Sequence, residues 1–162
     1  MSRLNFIPAP NKPVHLIARN PIYKAFGRKP IAHDKWASLS VDARMAFARF
    51  EIGTQQMPDD RGTLACTVNI TMVLAEQHSS DTDLACVEAA RDALARADVR
   101  AAKGLAWNFD ATGREEMKHA LEVHDQLIAQ LGQATITDAI LEMRARRDRG
   151  HVVEIGTMGG TA

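Results

Sequence analysis

At 162 residues the chain can enclose one sizeable core and would be cramped as two domains. Its apolar fraction of 46% and charged fraction of 25% are those of an ordinary globular chain. Twenty Lys and Arg balance twenty Asp and Glu, which argues against the strongly basic domain typical of general DNA binding.

That neutrality hides a division. Residues 1–35 carry seven basic residues (Arg3, Lys12, Arg19, Lys24, Arg28, Lys29 and Lys35) against Asp34 alone. The remainder carries thirteen against nineteen. Such a split predicts a basic N-terminal arm that meets something negative: nucleic acid, a neighbouring protomer, or the chain's own body. Pro8, Pro10, Pro13, Pro21 and Pro30 make the arm irregular, because each fixes φ and removes a backbone donor. Within it Ile22, Tyr23 and Phe26 are apolar and favour burial. No stretch resembles a signal peptide or approaches the roughly 18 apolar residues of a membrane span. The expectation is a cytoplasmic protein.

Residues 36–150 read as a helical bundle. The first helix is expected from about Ser40, as N-cap, to Gly53, with Val41, Met45, Ala48 and Ile52 as its inward stripe and Phe47 and Phe50 widening it. Residues 63–77 are ambiguous. Cys66, Val68, Ile70, Met72 and Leu74 alternate as in a strand, yet Cys66, Ile70, Val73 and Leu74 also fit a helix face. The run is long for a strand and has no evident partner, so it reads as a buried helix.

The next helix spans about Thr82 to Lys103, entered through a capping box of Ser80 and Asp83 and closed by Gly104. Leu84, Val87, Ala90, Leu94, Ala97 and Ala101 form its stripe. Ala106 to Phe109 should press over the core. A fourth helix covers about Gly113 to Leu131, with Thr112 and Glu115 as its capping box. Its stripe is Met117, Ala120, Leu121, His124, Leu127, Ile128 and Leu131. A last helix starts near Thr135 and runs into Arg144, Arg146, Arg147 and Arg149, cations that suit a helix C-terminus. The tail, residues 151–162, has strand character at Val152 to Ile155, which could pair with Val14 to Ile17 as a small two-stranded ribbon. The expected fold is therefore all-α, about five helices in an antiparallel bundle under a basic arm.

No motif commits the chain to a reaction. Glu116-x-x-His119 has the helical spacing of a di-iron ligand pair. A second such pair is absent, so no metal or other cofactor is expected. His124 lies inside an apolar stripe and reads as a neutral core histidine hydrogen-bonded to a neighbouring helix, with a general base as the alternative. Cys66 and Cys86 lack metal spacing and read as reduced thiols. The glycines at 156, 159 and 160 lack a following helix and make no phosphate cradle.

The favoured function is a non-catalytic interaction or assembly protein, by analogy an accessory, structural or regulatory part of a phage or mobile element. Its arm would contact an acidic partner surface or protomer through Arg19, Tyr23, Lys24, Phe26, Arg28 and Lys29. Self-association fits this reading, and no small-molecule substrate is indicated. The alternative is a nucleic-acid-associated protein that adds Arg144, Arg146, Arg147 and Arg149 as phosphate contacts.

Overall fold

A computed structural model describes residues 33–52 and 59–150. All regular structure there is helical: α1 (His33–Glu51), α2 (Asp60–His78), α3 (Asp81–Ala102), α4 (Ala111–Gln130) and α5 (Gln133–Asp148). Five helices were expected, and among the described residues no strand occurs. The basic arm through Ala32, and the tail with its proposed ribbon, lie outside the described residues.

Helix α2 packs against each of the other four, α3 and α4 form the most extensive pair, and α1 also contacts α4. The position of α2 explains its unclear sequence pattern. Eleven of its residues are buried, and from Thr67 to Ala75 only Ile70 is partly open. A helix enclosed on nearly all sides has no polar face, so it shows no 3.6-residue rhythm. The buried-helix reading of residues 63–77 holds.

The core is built around Leu64, Leu74, Leu94, Met117 and Leu121, all essentially sealed from solvent. Small residues bring α3 close to α4: Ala90, Ala93 and Ala97 are buried, and a Cβ on Gly113 would sit 3.2 Å from the Ala93 Cβ. The α3–α4 connector returns Trp107 and Phe109 to the core, as expected, where they stack with Phe50 at centroid distances of 4.8 and 5.9 Å. Trp107 Nε1–H donates to Asp98 Oδ1 at 2.5 Å, which satisfies the one polar atom of a buried indole.

That aromatic cluster sets the rotation of α1 and corrects the expected stripe. Ala43, Ala46, Phe47 and Phe50 face the core, whereas Val41, Met45 and Ile52 are 52%, 52% and 71% exposed. Two phenylalanines that can stack on Trp107 and Phe109 bury more apolar area than the aliphatic stripe does, so the aromatic face wins. Ser40 is no cap; it lies inside a helix that begins at His33.

The other helix ends follow local chemistry. The Ser80–Asp83 capping box forms as expected, with Asp83 N–H donating to Ser80 Oγ at 3.2 Å. Hydrogen bonds donated by Ser79, and then by Ser80, hold the Asp83 carboxyl below its ordinary range. Gly104 takes φ 78° after α3, and Leu105 N–H bonds back to the Arg100 carbonyl at 3.2 Å. For α4 the cap is Asp110 rather than Thr112: its side chain accepts from Gly113 N–H at 2.6 Å. Gly132 stands at the N-cap of α5, which starts at Gln133, two residues before the expected Thr135.

Candidate functional site

Polar and charged groups gather in four places. The deepest is the α2–α4 interface. Thr71 Oγ1–H donates to the Thr67 carbonyl at 2.7 Å, which leaves its oxygen to accept from His124 Nδ1–H, also at 2.7 Å. His124 is 3% exposed, and its Nε2 has no hydrogen-bond partner. Burial lowers its pKa to about 4; Asp125 opposes that shift and Arg44 adds to it. The ring is therefore a neutral core histidine bonded to a neighbouring helix, as its sequence position suggested. With Nδ1 committed and Nε2 sealed away from water, this geometry positions helices.

The second is the α2–α5 interface. Arg146 makes a bidentate pair with Glu76, at 2.8 and 2.7 Å, and its Nε–H donates to Glu142 at 3.0 Å. These bonds raise the guanidinium pKa, that to Glu76 most. The candidate phosphate contacts thus separate. Arg146 is turned inward and neutralised, Arg149 lies 3.5 Å from Glu142, and Arg147 lies 3.8 Å from Asp148. Arg144 and Arg147 are exposed beside Cys66, an exposed α2 residue whose thiol pKa is raised by partial desolvation despite the two cations.

The third is the α3–α4 interface. Glu116 accepts a short hydrogen bond from Arg96, whose other neighbour is Asp110 at 3.6 Å. His119, three residues further along α4, is exposed. The Glu116–His119 pattern is thus divided between an interhelical ion pair and solvent. Among the described residues no group of three or more His, Cys, Asp or Glu could hold a metal.

The fourth is the outer face of α1, the candidate functional surface. Val41 and Met45, and Ile52 in the turn that continues α1, stand in solvent with half-buried Ala48 between them, spaced four, three and four residues apart. Charged pairs frame the line. On one flank Arg44 donates to Asp125 at 3.1 and 2.7 Å, and Lys118 lies 3.0 Å from Glu51. On the other, Arg49 pairs with the buried Asp60 at 2.8 and 2.5 Å; the hydrogen bond to Asp60, and more weakly the nearby negative charge of Asp42, raise the guanidinium pKa. Exposed apolar residues in a continuous line mark contact surfaces more often than isolated ones do. Sequence reasoning assigned this line to the core. The four–three–four spacing with both charge signs on each flank is the sequence pattern by which this face could have been singled out.

The arm residues Arg19, Tyr23, Lys24, Phe26, Arg28 and Lys29 lie outside the described residues. An acidic strip is available on the body: Asp81, Glu88 and Asp92 are exposed and share one face of α3. Among the described residues no helix is long and apolar enough to cross a membrane. No family model, curated protein or solved structure matches the chain.

Proposed function

We propose that this chain is a non-catalytic interaction and assembly protein. The observation that supports it is the outer face of α1, an apolar line left in solvent by a helix whose opposite face is fully committed to the core. Residues 1–35 supply a second contact, their positive charge drawn to acidic surfaces such as Asp81, Glu88 and Asp92 of another protomer or partner. Charge of this kind governs encounter and specificity more than affinity. The antiparallel course of the helices belongs to the same proposal: α2 and α3 pack together across a joint of only Ser79 and Ser80, which reverses the chain.

Sedimentation of the full chain across a salt series tests the role of the arm. Wild type should associate more weakly as salt rises, and a Lys24→Gln/Arg28→Gln/Lys29→Gln variant should lose that salt dependence. Identical behaviour of the two proteins would remove the arm from the mechanism. A gel shift with duplex DNA supplies the rival outcome. Retention with a slope of about −0.9 per neutralised phosphate would replace an acidic protein surface with nucleic acid.

A further inference from the structure

We infer that the outer face of α1 binds the same face of a second copy, the two helices running antiparallel. This inference rests on the assembly reading and names its partner. The residues carry it through their arrangement. Val41, Met45, Ala48 and Ile52 follow the alternating spacing of a coiled-coil seam, while Ala43, Ala46, Phe47 and Phe50 occupy the opposite side and pack into the protein's own core. Among the described residues the seam is therefore turned away from the core.

Two such seams match only in one sense. Placed antiparallel about the midpoint between Ala46 and Phe47, Val41 meets Ile52 of the second copy and Met45 meets its Ala48, with a large residue against a small one at the centre. The flanking charges then decide the orientation. On one side Arg44 faces Glu51 of the second copy, and Glu51 faces its Arg44. On the other, Asp42 faces Arg49 of the second copy, and Arg49 faces its Asp42. All four contacts join opposite charges. A parallel pairing would instead set Arg44 against Arg49, a like-charge contact that disfavours it.

Existing ion pairs leave this open. The Arg44–Asp125 and Glu51–Lys118 pairs have every side chain between 34% and 43% exposed. Such pairs contribute little in water, so both groups can turn to a partner. Arg49 stays with Asp60, and its side chain, 27% exposed, can meet the second copy's Asp42 from the solvent side. Four layers make a small interface, so the dimer is weak and concentration-dependent.

Sedimentation equilibrium of the full chain over a wide concentration range is the test, with urea melting as the control for folding. Wild type should form dimers. Met45→Lys, a change at a half-exposed site, should melt like wild type and raise the dimer dissociation constant at least about tenfold. Arg44→Glu should weaken the dimer about threefold to tenfold, and Arg44→Glu/Glu51→Arg should recover most of that loss, because the reversed pair is restored only in the antiparallel register. A wild-type chain monomeric at every concentration overturns the inference. So does a dimer indifferent to Met45→Lys but abolished by neutralising Lys24, Arg28 and Lys29; in that case the arm-driven assembly reading survives alone.

Discussion

Helices α1 and α4 are almost the same length, nineteen and twenty residues, and pack against each other, yet they use their apolar residues in opposite ways. Helix α4 has one apolar stripe and buries it: Met117, Ala120, Leu121, His124, Leu127 and Ile128 all face inward. Helix α1 has two. It gives the aromatic one to the core and leaves the aliphatic one in water. The comparison teaches that helical periodicity shows that a face is apolar but not what covers it. When two faces compete, the one with stacking partners elsewhere in the fold takes the interior.

The sharpest way to break this comparison is to truncate both kinds of face. Leu94→Ala, at a fully sealed site on α3, should cost about 2–5 kcal/mol in urea denaturation. Ile52→Ala, in the exposed turn that continues the outer face of α1, should change the stability of the dilute chain by no more than about 0.5 kcal/mol. Equal losses would mean that the outer face is part of the core after all.

A second probe uses the polar member of the α4 stripe. His124 is neutral in the fold until about pH 4, while the unfolded chain binds that proton near pH 6.5. The unfolded state therefore holds more protons between those values. Stability should be complete above pH 6.5, fall as the pH drops toward 4, and lose about 3 kcal/mol from this group by then. His124→Leu should flatten that part of the profile, and an unchanged slope would place the pH response elsewhere. Helix α1 shows no buried titratable group among its described side chains.

Smaller effects separate ion pairs by burial. Arg146→Ala should cost about 2 kcal/mol, because it removes the bidentate partner of Glu76, whose side chain is only 18% exposed. Arg44→Ala, in an open pair beside the α1 seam, should cost under about 1 kcal/mol in the dilute chain. If the two lost the same amount, the distinction between a committed and an available cation would fail.

Much of this was legible in local sequence. The Ser80–Asp83 capping box, the positive-φ stop at Gly104, the aromatic return through Trp107 and Phe109, and the inward His124 all follow from a few adjacent residues. The position of Asp110 as the cap of α4 was missed because Thr112 and Glu115 offered an equally good local pattern two residues later. Residues 63–77 were readable only by length and the lack of a strand partner, since a helix enclosed on nearly all sides keeps no rhythm of its own. The long-range pairs Arg44–Asp125, Arg96–Glu116 and Glu76–Arg146 carried no sequence signal, because each joins residues from different helices.

Sequence by itself determined that the body is helical and roughly where the rods after α1 begin and end, because caps, glycines and spacing act within a turn or two; α1 itself starts at His33, seven residues before the expected Ser40. Only the tertiary structure decided which side of α1 is interior and which arginines remain available to a partner. Those outcomes depend on a competition between faces for the same volume, and the competitors are brought together only when distant segments pack.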